Sequence, residues 1–218
     1  MTEVDLGGHP GVVVRPRGAR ALYVFAHGAG AGMRHGFMVA VAEALATRKI
    51  ATVRWDLPFM AAGKARPDPA PVAEAAVREV WAAVAAHARD LPRFAGGKSF
   101  GGRMTSRAHA ATPSGLPGLR GLVFLGFPLH PAGKPAIERA AHLATTTGDL
   151  LFVQGDRDAL ADLALLRPVV AGIGARATLQ VVQHADHGFD VLVRSGRTPA
   201  EVIAELADTV ASWMIARV

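Results

Sequence analysis

Short apolar runs rich in β-branched residues alternate along this chain with longer stretches of helical period, and that alternation constrains the fold more than any other feature. The strand-like runs are Gly11–Arg15, Leu22–His27, Ala51–Trp55, Arg93–Gly97, Leu122–Gly126, Leu150–Gln154 and Thr178–Gln183. Most are apolar at consecutive positions instead of alternating, as strands covered on both faces are. Between Pro69 and His87, residues Val72, Ala76, Val80, Val84 and His87 fall on one helical stripe, with Asp68 as N-cap and Pro69 as first helical residue. Near the end, Thr198-Pro199-Ala200-Glu201 reads as a capping box opening a helix whose stripe is Ile203, Leu206, Val210, Trp213 and Met214. Strand–helix alternation of this kind predicts an α/β fold with a mostly parallel sheet and helices on both faces. Only about six residues separate Gly11–Arg15 from Leu22, too few for a parallel crossover, so that pair is expected to form an antiparallel hairpin.

At 218 residues, with no repeat and no low-complexity tract, the chain reads as a single domain over 1–218. Half of the residues are hydrophobic and 19% are charged, which excludes an intrinsically disordered chain. Cysteine is absent, so disulfides, thiolate metal sites and a cysteine nucleophile are excluded. The longest apolar runs, such as Ala21–Ala26, fall far short of the ~20 residues of a membrane span. The opening residues lack the basic-then-apolar pattern of a secretory leader, and a cytoplasmic location is expected. The net charge of +6 comes from arginines scattered between Arg15 and Arg217 with no run of like charge. Scattered charge reads as a solvated face, so neither a nucleic-acid nor a membrane partner is expected.

The most informative stretch is Gly97-Lys98-Ser99-Phe100-Gly101, a G-x-S-x-G sequence at the end of one strand-like run and the start of a helical one. A serine thrust out of a tight strand-to-helix turn needs small residues two before and two after it, and Gly97 and Gly101 meet that demand. Gly97-Lys98-Ser99 also ends a phosphate-loop pattern, but position 92, where that pattern needs glycine, is Pro92. A nucleophilic serine needs a base, and the base an orienting acid. Two later strand ends offer both: Gly155-Asp156-Arg157-Asp158, and His184-Ala185-Asp186-His187-Gly188-Phe189. His184 and His187 lack further ligands at metal-binding spacing, so no metal is expected. Upstream, His27-Gly28-Ala29-Gly30-Ala31-Gly32 follows a strand-like run and lacks the third glycine of a dinucleotide fingerprint, because position 33 is Met33. His27 and His130, at strand ends, are expected to line the pocket with Gly28 and Gly30.

Taken together these motifs resemble the α/β-hydrolase superfamily over nearly the whole chain, and most closely its small dienelactone-hydrolase-like branch. That branch also includes α/β-hydrolase-like subunits of a chromatin acetyltransferase complex. Arg54-Trp55-Asp56-Leu57-Pro58-Phe59 and Gly126-Phe127-Pro128-Leu129-His130 add local resemblance. Dienelactone hydrolases proper use a cysteine nucleophile, and here Ser99 stands instead, so their substrate does not carry over. The resemblance implies the chain order serine, acid, histidine, with Ser99 as nucleophile, Asp158 favoured over Asp156 by its G-x-x-D turn, and His187 favoured over His184 by its D-H-G-F loop. It also implies an oxyanion hole from the amides of Phe100 and Ala29, with Gly30 as the alternative to Ala29. The implied activity is hydrolysis of a small or accessible carboxylic ester or thioester through an acyl-enzyme, without cofactor, by a monomer or homodimer. The other reading is a non-catalytic interaction module on the same fold. The 24-residue step from Gly126 to Leu150 has room for one helix, over about Pro135–Thr146, and for no cap domain, so an open cleft with little apolar wall is expected.

Overall fold

The computed structural model describes residues 1–112 and 114–218. The strands are β1 (Thr2–Asp5), β2 (Pro10–Val14), β3 (Ala21–Ala26), β4 (Ile50–Trp55), β5 (Arg93–Lys98), β6 (Leu119–Leu125), β7 (Asp149–Gly155) and β8 (Ala177–Val182). They form one eight-stranded sheet in the order β1-β2-β4-β3-β5-β6-β7-β8. All pairs from β4 to β8 are parallel, while β2 is antiparallel to both β1 and β4. The helices are α1 (Gly36–Thr47), α2 (Pro58–Ala61), α3 (Ala70–Val84), α4 (Phe100–Ala110), α5 (Leu163–Ile173) and α6 (Pro199–Ile215).

The expected hairpin between the strands now labelled β2 and β3 is not formed. The antiparallel sense is as expected, but β4 lies between them, in register with β2 from Gly11↔Trp55 to Val14↔Thr52. The hairpin partner of β2 is β1, whose sequence Thr-Glu-Val-Asp is too polar to read as a strand and lies at the sheet edge. Gly7 and Gly8, at φ 73° and 90°, turn the chain between the two.

Alternation along β3 shows why the sheet is covered twice. Leu22, Val24 and Ala26 join one core cluster with α3, α4 and α5, whereas Ala21, Tyr23 and Phe25 join the other with α1 and α6. The α3 helix begins one residue later than its sequence suggests, with Pro69 as N-cap. Its inward side is Ala73, Ala76, Val77, Val80, Trp81 and Val84, while Val72 and His87 face outward. In α6 the capping box forms: the Thr198 hydroxyl accepts the Glu201 N–H at 3.3 Å, and the Glu201 carboxylate accepts the Thr198 N–H at 2.7 Å. Leu206, Val210, Trp213 and Met214 are buried as its stripe requires; burial of each such side chain contributes ~1.5–3 kcal/mol. Among the described residues no helix is long and apolar enough to cross a membrane.

From β3 the chain passes through α1 to β4 on one side, then through α3 on the opposite face to β5 on the other side of β3. The winding direction therefore reverses between β3 and β5. A crevice opens at the carboxyl ends of strands flanking such a reversal, and the loops after β3, β5, β7 and β8 all meet there.

Candidate active site

Strand β5 ends at Lys98 and α4 starts at Phe100, leaving Ser99 alone to turn the chain at φ 48°, ψ −116°. A non-glycine residue at positive φ costs on the order of 1–3 kcal/mol and persists only where its surroundings enforce it. Here the Ser99 N–H donates to the Leu125 carbonyl at 3.1 Å, and the Ser99 carbonyl accepts from Arg103 N–H at 3.1 Å. The flanking glycines are sterically required. A Cβ on Gly97 would come within 2.2 Å of the Ala26 carbonyl oxygen, and one on Gly101 within 2.3 Å of the His27 carbonyl oxygen. Side chains at either position would push the Ser99 turn away from β3.

His187 sits in the loop after β8. The Asp186 carboxylate accepts the N–H groups of Gly188 and Asp190 at 2.8 and 3.0 Å, and Ala185 bridges to Val191. Phe189, at φ 66°, turns inward into the α1–α6 core and stacks on Phe37 with ring centroids 5.7 Å apart. This rigid turn sets His187 Nε2 2.8 Å from Ser99 Oγ and His187 Nδ1 2.7 Å from Asp158 Oδ2. The Asp158 side chain is fully buried after β7, and its other oxygen accepts the Leu160 N–H at 2.7 Å. An ionised carboxylate can only accept, so Nδ1 carries the proton and Nε2 is free to accept from the Ser99 hydroxyl.

Of the rivals in the sequence, His184 is exposed at φ 65° and Asp156 is hydrogen-bonded to neither histidine; among the described residues one oxygen of Asp156 is buried without a partner. Gln154 is a participant that sequence reasoning missed. Its amide oxygen accepts the Phe127 N–H at 2.9 Å and its NH2 donates to Asp158 Oδ2, so it holds the Asp158 carboxylate from behind. The one signal was a lone amide in the otherwise apolar run Leu150–Gln154.

Ser99, His187, Gly28, Ala29 and Gly30 border a cavity of about 690 Å³. Phe100 is the first residue of α4, so its N–H has no acceptor within the helix. The N–H groups of Ala29 and Gly30 likewise make no hydrogen bond among the described residues. The loop carrying them is clasped from below: Arg54 Nη1 donates to the Met33 carbonyl at 2.8 Å and Asp56 accepts the Met33 N–H at 2.7 Å.

His27 and His130 do not line this cavity as expected. Both are buried behind it as clips between loops. His27 Nδ1–H donates to the Gly28 carbonyl at 2.7 Å while Nε2 accepts the Leu57 N–H at 3.0 Å; burial lowers its pKa and keeps the ring neutral. His130 joins the Pro131 carbonyl at 2.9 Å to the Asp162 N–H at 2.9 Å. The cavity wall is a second correction. The step from Gly126 to Leu150 holds only a 3₁₀ turn at Glu138–Ala144, and none of these residues reaches the cavity. Its walls are nonetheless apolar, because Phe37 and Met38 of α1, Phe189, and Ile203 of α6 supply them.

Solved structures with this architecture include a dienelactone hydrolase from Anabaena variabilis, 20% identical, with TM-score 0.78 over 100% of this chain and 96% of that one. An α/β serine hydrolase without lid from Xanthomonas campestris is 20% identical, with TM-score 0.71 over 97% and 94% of the two chains. Est1E from Butyrivibrio proteoclasticus, solved with ferulic acid bound, is 17% identical, with TM-score 0.71 over 100% and 99%. A family model for the alpha/beta hydrolase domain matches residues 19–215. By that match over most of its length, this chain belongs to the alpha/beta hydrolase domain family.

Proposed function

We propose that the protein is a serine hydrolase that cleaves small carboxylic esters or thioesters, with Ser99 as nucleophile, His187 as general base and Asp158 as the acid that orients it. The observation that carries this reading is the unbroken relay from Ser99 through His187 to a fully buried Asp158, at 2.8 and 2.7 Å. His187 Nε2 takes the hydroxyl proton as Ser99 Oγ attacks the carbonyl carbon. The imidazolium then gives that proton to the leaving alcohol or thiol, and a water molecule releases the acyl group by the same route. The N–H groups of Phe100 and of Ala29 or Gly30 stabilise the tetrahedral oxyanion. No cofactor enters this chemistry.

The apolar cavity wall favours a hydrocarbon or aryl acyl group lying along Phe37, Phe189 and Ile203. Each methylene buried there contributes ~0.8 kcal/mol, about fourfold in binding. Turnover of p-nitrophenyl esters is therefore expected to rise from acetyl toward mid-length chains and fall once the cavity is full. The primary test is labelling by a fluorophosphonate probe, expected for the native chain and lost in Ser99→Ala. A native chain that takes no label and turns over no ester would leave the non-catalytic module as the reading.

A further inference from the structure

Lys98 stands immediately before the nucleophile, yet its side chain leaves the turn and crosses to the base loop. Its ammonium donates to the backbone carbonyl of His187 at 2.5 Å. On the way it passes the stacked pair Phe37 and Phe189, with Nζ 5.9 and 5.4 Å from the two ring centroids. One side chain thus ties together the end of β5, the first turn of α1 and the loop that carries His187.

We infer that Lys98 is a positioning residue that sets the separation of Ser99 and His187 by fixing the backbone of the base from the residue next to the nucleophile. This rests on the roles proposed above for that pair. Withdrawing an ammonium from water is costly unless it is paired and hydrogen-bonded. A contact made only for packing would be better served by an apolar side chain of the same length. Burial pushes the Lys98 ammonium down to about 8, while Asp158, Asp186 and Asp190 pull it back up. Three carboxylates and the His187 carbonyl hold this charge, and the side chain also borders the cavity beside Ser99.

The geometry also shows what is lost without it. The His187 ring is oriented by Asp158, and Asp186 shapes its loop from within. Neither joins that loop to the nucleophile turn. Lys98 makes that link directly, and an ångström of drift between the two loops is enough to cost on the order of 100-fold in rate.

The test compares Lys98→Met, which keeps the aliphatic stem and loses the donor, with Lys98→Arg, which keeps a donor able to pack beside the two rings. Steady-state hydrolysis of p-nitrophenyl butyrate and thermal melts are read for both. Expected for Met is a kcat lower by ~10- to 100-fold with KM within about twofold and a Tm no lower than native; Arg recovers most of kcat. A Met variant with native kcat, or one altered only in KM, overturns the inference, the latter in favour of a substrate contact. If Met does not fold, Lys98→Gln is set against Lys98→Arg. The shorter amide should leave kcat low while Arg restores it, and equal values overturn the proposal. Failure of the hydrolase reading itself is seen separately, as a native chain indistinguishable from Ser99→Ala.

Discussion

Two serines associated with α4 each lie 2.8 Å from a histidine: Ser99 at its N-cap from His187, and Ser106 in its interior from His142. By distance alone the pairs are equivalent, yet everything else about them differs. Ser99 lies at a strained turn on the edge of the cavity, and among the described residues its hydroxyl bonds only to His187. Ser106 is fully buried, and its hydroxyl also donates back to the Arg103 carbonyl at 2.9 Å, as serines inside helices do. The far nitrogen of His187 meets a buried carboxylate. Near His142 the charges are the Arg107 and Arg103 guanidinium groups, which together with burial push its pKa down to about 4. A ring so resistant to protonation makes a poor base. What makes a serine–histidine bond chemically useful is therefore the third group and the space in front of it. The Ser106–His142 bond instead fastens α4 to the segment that crosses from β6 to β7.

The sharpest way to break this contrast is to delete each hydroxyl. Ser99→Ala is expected to lose all probe labelling and to lower kcat on aryl esters by ~10⁴-fold or more, with the melting temperature little changed because alanine keeps the Cβ at the same backbone angles. Ser106→Ala should do the reverse: turnover within about twofold of native, and stability lower by ~1 kcal/mol because a half-buried histidine nitrogen loses its partner. Labelling that survives Ser99→Ala and disappears with Ser106→Ala would exchange the two roles.

A finer division runs through the acid. Asp158→Asn preserves shape but presents an amide to His187 Nδ1, which favours the wrong tautomer. It is expected to reduce kcat by ~10³- to 10⁴-fold with little change in KM. Asp156→Asn changes a side chain hydrogen-bonded to neither histidine, so kcat should stay within a few-fold of native. Equal losses in both would mean that the loop after β7 acts through its shape and not through Asp158 alone.

The parts of the molecule that were legible in the sequence are those governed by local chemistry. The G-x-S-x-G turn, the capping box at Thr198 and the apolar parallel strands each carry their physical reason within a few residues. The capping box closes within four residues, whereas the glycines of the turn also answer to the carbonyls of Ala26 and His27. What escaped depends on neighbours remote in sequence. β1 is a strand only because β2 offers it an edge, and β4 displaces β3 from β2 by entering between them. His27 and His130 sit at strand ends like site residues, but neighbouring loops close over them and use both ring nitrogens. The apolar cavity wall was likewise hidden, because Phe37 and Ile203 come together only when α1 and α6 pack on the same face of the sheet.

The smallest effect expected concerns acid stability, and it separates the two histidines by their surroundings. In the fold, burial first and then the Arg107 and Arg103 charges lower the His142 pKa from 6.5 to about 4. Between those values the unfolded chain binds a proton that the folded chain refuses, so the unfolded state gains as pH falls. The stability that His142 contributes by staying neutral is present in full above about pH 6.5 and is lost progressively down to about 4. His27 and His109, whose pKa values are also lowered by burial, add to the same slope. Replacing His142 by Gln keeps a group able to bond Ser106 but removes the titration. The variant should therefore lose less stability than the native chain between pH 6.5 and 4, measured as the urea midpoint at each pH, and should be closest to native, or slightly weaker, at pH 7.5. Parallel midpoint curves for the two proteins would show that His142 takes up its proton in the folded state as readily as in the unfolded one. The Arg103–Arg107 side of α4 would then not be the electropositive counterpart to the Asp158 side of the cavity.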